Sequence, residues 1–428
     1  MTTLLRSGDQ GYDEARTVWN AMIDRRPAVI ARCESTEDVA AAVRFARTNG
    51  LEIGVRCGGH NIAGLAVPDG GLMIDLTPMN AVRVDPERQL AWVQGGALLG
   101  ELDKAAQQYG LATTAGNVSH TGVGGLTLGG GMGWLARRFG LACDNVASYE
   151  LVTADGSVVR ASADENPELF WGLRGGGGNF GIVTSFEFRL HQVGTRALSV
   201  EFTYPASAGF EVLRGWRELN ANAPREATFT ASIKPDSITV GYVWIGEGGY
   251  ALLPAFRALG PVSDEVVEET SYLALQTRDD NVQGHRYRRY WKGHYFKALP
   301  DDAIRALLRT PGVSASLQAY GGAIADVPDD DAAFSHRDTL FEFVTATRWD
   351  DPAEDESRIA QLREYAAALA PYANGAYVNT LNGDSISRAF PPAKLARLTA
   401  LKTAYDPANV FHLNQNIRPG EASAETAA

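Results

Sequence analysis

Apolar positions along the first half of the chain switch between a spacing near 3.6 and a spacing of two, which predicts helices interleaved with strands. Residues 35–50 read as an amphipathic helix. Ser35 can cap it, Asp38 stands at capping-box spacing, Val39, Val43 and Ala46 share one face, and Gly50 suits a left-handed stop. A strand at 53–56 follows directly, then short β-rich pieces at 72–76, 81–84 and 90–93. Leu98, Leu99, Leu102, Ala106 and Tyr109 form a second helical stripe ending at Gly110, and the alternation over 182–190 reads as a strand. The first 30 residues are polar and helix-like without a strong period.

After about residue 196 the texture changes. Alternation at Leu198, Val200, Phe202 and Tyr204, at Phe229, Ala231 and Ile233, and at Ile238, Val240, Tyr242 and Trp244 predicts hairpin-spaced strands, with further ones at 316–320 and 340–345. Helices are expected at 250–259 and at 356–369, the latter with Ile359, Leu362, Ala366 and Leu369 on one face. This mixture predicts an antiparallel sheet covered on one side. A last helix begins near Pro391, a closing segment spans 405–419, and the tail from Gly420 to the end is expected to be disordered.

Composition narrows the function classes. A chain of 428 residues asks for two domains. Its 39 Lys plus Arg against 51 Asp plus Glu give a formal charge of −12, a poor footprint for nucleic acid or an anionic membrane. Three cysteines, Cys33, Cys57 and Cys143, without CxxC spacing argue against a disulfide framework and a structural zinc. No apolar run approaches a membrane span and the start has no signal-peptide profile, so the expected compartment is the cytoplasm. The 45 glycines are in excess, and most of that excess is clustered.

One cluster runs Gly122-Val-Gly-Gly-Leu-Thr-Leu-Gly-Gly-Gly-Met-Gly133, a second Arg174-Gly-Gly-Gly-Gly-Asn-Phe-Gly181, and a third sits in Val55-Arg-Cys-Gly-Gly-His-Asn-Ile-Ala-Gly64. GxGxxG-type matches at Gly176 and Gly131 lack the strand-before, helix-after context of a nicotinamide-binding unit. Dense glycines instead let backbone N–H groups approach a ligand closely, and a pyrophosphate is the natural occupant of such a nest. His60, alone in its loop, would otherwise pass for a surface or capping residue.

Arg56-Cys-Gly-Gly-His60-Asn61, Asp69-Gly-Gly-Leu-Met-Ile-Asp-Leu76, Val93-Gln-Gly-Gly96, the belt from Gly122 to Gly133, Tyr149-Glu-Leu-Val-Thr-Ala-Asp-Gly156, Leu169-Phe-Trp-Gly-Leu-Arg174, Tyr377-Val-Asn379 and the closing segment together resemble the berberine bridge enzyme-like FAD-linked oxidases. The resemblance covers nearly the whole chain. It implies an α+β, two-domain FAD-binding fold of the vanillyl-alcohol oxidase / p-cresol methylhydroxylase type: an FAD domain over 1–195, an antiparallel-sheet substrate domain over 196–389, and a segment over 390–428 returning to the FAD domain. It also implies covalent FAD, 8α-linked through His60. Arg56, Cys57, Gly58, Gly59, His60, Asn61, Gly122, Gly124 and Gly125 would cradle the cofactor; Gly181 and Val183 would lie near its adenine half, and Asn414 and Asn416 near the isoalloxazine.

Two departures qualify this. Relatives that bond the flavin a second time use a cysteine where Val118 stands, so a single bond without a cysteinyl link is expected, with Cys143 a packing residue. Thr121, at the family's oxygen gate, is nearly isosteric with the valine of oxygen-using relatives. The family's Tyr-x-Asn-Tyr motif reads Tyr377-Val-Asn-Thr380 here, which removes the usual tyrosine base. Tyr377 is left as the leading pocket residue, with Asn379 beside it, as proton acceptor or hydrogen-bond donor. The run 285–297, rich in aromatic and basic residues, is either a solvated face or the source of a replacement. The implied reaction is hydride removal from an alcohol, amine or aromatic metabolite, with O2 reduced to H2O2; a dehydrogenase with another acceptor and a non-redox flavoprotein are the alternatives. Small-molecule substrate and O2 are the expected partners, and oligomeric state is open.

Overall fold

A computed structural model describes residues 3–280, 284–309 and 312–420. The helix Thr36–Asn49 forms as its pattern demands. Ser35 Oγ accepts from the Asp38 N–H at 3.2 Å, and Gly50 stops the helix at φ 63°. Its buried face (Val39, Val43, Ala46) packs on a four-stranded sheet in the order Thr3–Leu5, Val29–Arg32, Leu72–Asp75, Ile53–Arg56, the last three parallel. The first 30 residues are not helical as expected: one turn, Tyr12–Ala15, is followed by irregular chain pinned by buried Tyr12 and Val18. Tertiary anchoring, not local period, holds that segment.

A second sheet of five antiparallel strands runs Val82–Asp85, Leu90–Gln94, Ile182–Arg189, Val146–Val152, Val158–Ser162. Its last two strands were not anticipated, because the first is hidden in a motif read for its glycine and the second, with Val158 half exposed, has little alternation. The helix Leu99–Gln107 buries Leu99, Leu102 and Ala106 as expected, but Tyr109 lies beyond its end and is exposed.

The third sheet has seven strands, all antiparallel: Asp264–Ser271, Arg196–Pro205, Ser237–Ile245, Ala227–Ile233, Ala315–Ala319, Phe341–Trp349, Arg288–Phe296. The helices Gly209–Asn220, Asp301–Leu307 and Asp355–Leu369 cover one face and share a core with Phe202, Phe229, Tyr242 and Phe343. The acidic edge strand Asp264–Ser271 was missed, since it is exposed on both faces and carries no hydrophobic period. The helix expected at 250–259 is a 3₁₀ turn, Tyr250–Leu252, and a short helix, Leu253–Arg257, with Pro254 at its start. The opposite face of this sheet joins the five-stranded sheet in one apolar cluster that includes Phe186, Tyr295, Tyr320 and Tyr377. The tail beyond Gly420 lies outside the described residues.

The final helix, Pro392–Tyr405, is tied back by a buried knot. Lys402 Nζ donates to Asp406 Oδ2 at 2.6 Å and to the carbonyls of Asn179 and Phe411 at 2.8 and 2.9 Å. Asp406 also accepts from the Val410 and Phe411 N–H groups at 2.7 and 2.8 Å. The segment carrying Asn414 is thereby fixed against the second glycine cluster.

Candidate active site

A cavity of about 540 Å³ opens where the sheets meet. Its walls come from the loop after the strand Ile53–Arg56, the first glycine belt, the second glycine cluster and the closing segment, with the seven-stranded sheet opposite. Of the expected residues, Cys57, Gly58, Gly59, His60, Asn61, Thr121, Gly122, Gly124, Gly125, Gly181, Val183, Tyr377, Asn379 and Asn414 line it. Arg56 and Asn416 do not. Arg56 turns toward Asp75 on the adjacent strand, 3.5 Å away, because one residue of pleat separates it from the loop's inner face. Val118 lines the cavity, whereas Cys143 is fully buried elsewhere, its thiol pushed well up by burial.

Glycine is required where the two loops cross. A Cβ on Gly122 would strike Cys57 Sγ and the Gly58 nitrogen, and one on Gly58 would strike Gly122. Gly125 and Gly178 have nothing near their missing Cβ and open into the cavity. Buried polar atoms without a protein partner also sit in its lining: Asn117 Oδ1, Asn414 Oδ1, Gln318 Nε2, and the indole nitrogens of Trp19 and Trp291. Such orphans are costly unless a polar ligand completes them. Open glycine backbone and unpaired polar atoms lining one cavity fit a dinucleotide.

His60 is clamped. Trp19 stacks on it with centroids 4.7 Å apart and planes 14° off parallel, and the Arg289 guanidinium lies over Trp19 at 3.6 Å. His60 Nε2 is 2.7 Å from His120 Nδ1, and its Nδ1 is 3.3 Å from Thr121 Oγ1. Burial, then His120 and the Arg289 charge, push its pKa down to about 3, so the ring is neutral at ordinary pH.

The seven-stranded sheet contributes residues that sequence reasoning missed. On the strands Ala315–Ala319 and Phe341–Trp349 the phenylalanines and leucines point to the helices, so alternation turns Gln318, Glu342 and Val344 to the cavity. Gln318, Glu342 and Tyr295 are direct cross-strand neighbours. The signal was present as one charged residue inside an apolar alternation, Phe341-Glu-Phe343. Glu342 is buried, its pKa raised to about 7 by desolvation, and Tyr320 OH donates to it at 2.8 Å. The run 285–297 is largely the strand Arg288–Phe296, not a solvated face: Tyr290 and Phe296 join the helix-covered core and Trp291 lines the cavity.

Tyr377 OH accepts from the Gly131 N–H at 2.8 Å and from Asn379 Nδ2 at 2.9 Å. Burial raises its pKa well above the ordinary value. A phenol whose oxygen already accepts twice is a donor, not a proton acceptor. Thr380 lines the cavity with its hydroxyl donating to the Tyr377 carbonyl at 2.8 Å, and it packs on Gly293, where a Cβ would meet Thr380 Oγ1 at 2.9 Å.

Fold and cavity together define a two-domain flavin-binding oxidoreductase of the vanillyl-alcohol oxidase / p-cresol methylhydroxylase type. The FAD binding domain family matches residues 27–162, and the family described as berberine and berberine like matches 376–418. An FAD-linked oxidoreductase of Dictyostelium discoideum is 32% identical over 97% of this chain and 94% of its own. The (R)-6-hydroxynicotine oxidase of Paenarthrobacter nicotinovorans is 33% identical over 96% of this chain and 95% of its own. The structure of Physcomitrella patens BBE-like 1 superposes with a TM-score of 0.90 at 26% identity, covering 98% and 97% of the two chains. The chain belongs to the berberine bridge enzyme-like FAD-linked oxidoreductases.

Proposed function

We propose that this enzyme oxidises a small amine at a carbon next to nitrogen, with FAD, which would be held through His60 alone, as the two-electron acceptor and O2, reduced to H2O2, as the final one. The observation that carries the reading is Glu342, a buried carboxylate facing the cavity beside Tyr377. Away from the glycine clusters the lining includes the Glu342 carboxylate, the amides of Gln318 and Asn117, an indole (Trp291) and Val344. A buried carboxylate needs a cationic or hydrogen-bonding partner, and a protonated amine supplies one directly. The similarity to (R)-6-hydroxynicotine oxidase supports the same class.

When bound, FAD supplies the two-electron acceptor. The chain's own groups do the rest. Glu342 holds the ammonium and takes its proton, leaving the nitrogen lone pair free as the C–H bond breaks. Tyr377, oriented by Gly131 and Asn379, donates a hydrogen bond that fixes the substrate. Asn414, Gly125 and Gly178 would hold the cofactor by amide and backbone groups. Val118 offers no thiol for a second bond.

The test is a screen for peroxide release over cyclic amines, alcohols and oligosaccharides. Turnover of an amine with stoichiometric peroxide is expected. Turnover confined to sugars would overturn the substrate class, and amine-driven dye reduction without peroxide would overturn the oxidase reading.

A further inference from the structure

We infer that His120 is the positioning residue for flavin attachment: by accepting a hydrogen bond from His60 Nε2, it leaves the Nδ1 lone pair of His60 as the nucleophile. The inference rests on the proposed His60 linkage and goes beyond it by naming the group that prepares His60.

The geometry separates the two ring nitrogens. Nε2 is engaged by His120 Nδ1 at 2.7 Å, and Nδ1 lies at the longer distance of 3.3 Å from Thr121 Oγ1, on the cavity wall. Trp19 stacked on the ring removes its freedom to turn over. A neutral imidazole carries one proton, and the hydrogen bond made by one nitrogen decides which form the other takes. Asp280 biases the pair. It accepts from the Ser119 N–H and hydroxyl at 2.9 and 2.6 Å; burial, first of all, lowers the basicity of both rings and Arg289 adds to this, but the Asp280 charge offsets part of the loss at His120. His120 is therefore the better acceptor, and the shared proton belongs to His60 Nε2.

The step balances as follows. A bond forms between His60 Nδ1 and the flavin 8α carbon, and a C–H bond at that carbon breaks with loss of a proton. The Nε2 proton of His60, acidified by alkylation of the ring, passes to His120 Nδ1. The C–H electron pair stays on the flavin, and O2 removes those two electrons with two protons as H2O2.

The experiment uses full-length chain produced under riboflavin limitation, mixed with FAD and sampled for acid-stable flavin over time. His120→Leu keeps the bulk without the acceptor, and His120→Gln restores an acceptor oxygen. Non-covalent FAD binding, read by quenching of flavin fluorescence before attachment, should be similar in all. Attachment should slow about 100-fold in His120→Leu and stay within about tenfold of the parent in His120→Gln, the range expected for losing or keeping such a group. A parent rate in His120→Leu, or a Gln variant no faster than Leu, overturns the inference. If the Leu chain takes up no FAD, His120→Ala replaces it in the same comparison. His60→Ala stands apart as the control: acid-stable flavin in that variant would overturn the linkage itself, whatever His120 does.

Discussion

At the scale of single residues, Thr380 stands where the family motif has a tyrosine, and the proposed function moves the base to Glu342. Glu342 stands where the sheet's alternation turns a carboxylate inward, and its pKa of about 7 puts a base within the working range of pH. Tyr377, held neutral by burial, keeps its proton. The two residues should therefore separate in anaerobic stopped-flow measurement of flavin reduction. Glu342→Gln should lose roughly 10²- to 10⁴-fold, the usual cost of removing a general base, and Tyr377→Phe about tenfold or less, as for one hydrogen bond. In the parent the rate should climb as pH rises through about 7, because only the ionised carboxylate accepts a proton. That climb should vanish in Glu342→Gln; its persistence would point to another base.

At the scale of elements, the closing segment depends on one buried ion pair. Lys402 and Asp406 are fully buried, one turn apart, and between them they satisfy two carbonyls and two N–H groups of neighbouring chain. Removing one partner strands the other charge, a loss of about 3–5 kcal/mol for buried pairs. Lys402→Met should show this in urea denaturation. Because the knot fixes the chain that carries Asn414, the same variant should bind FAD more weakly before attachment. Normal stability in Lys402→Met would show that the segment is held by its apolar contacts, Phe411 and Ile417, instead.

Across the whole molecule, the helix Leu99–Gln107 meets the helix Tyr272–Thr277, which follows the edge strand of the seven-stranded sheet, through Asp103. It accepts from Gln276 Nε2 at 3.0 Å and lies 3.4 Å from Tyr272 OH, both on the helix Tyr272–Thr277. Full burial raises its pKa from 3.8 to about 7. Folding thus favours the protonated form. The stabilisation is complete below the unfolded value of 3.8 and is lost as pH rises through about 7. Thermal unfolding should therefore shift to lower temperature as pH rises from about 4 to about 7, and Asp103→Asn should flatten part of that slope, to which Glu342 contributes in the same sense. An unchanged slope in Asp103→Asn would remove this contact from the pH response.

What the sequence alone determined was local or carried by glycine. The helix at 36–49 was legible because cap, stripe and stop agree within sixteen residues, and the cofactor loops because close backbone approach admits only glycine at Gly58 and Gly122. The alternation of five of the seven strands of the large sheet was readable too, though not of Asp264–Ser271 or Arg288–Phe296. The sheet's register was not. Which strands lie side by side is set by the packing of three helices on one face, and only that register brings Gln318, Glu342 and Tyr295 together. The partners of His60 were equally invisible, since Trp19, His120 and Arg289 lie 41, 60 and 229 positions away and meet it only through the closed fold. A motif points to His60; long-range packing sets the plane of its ring and its neighbours.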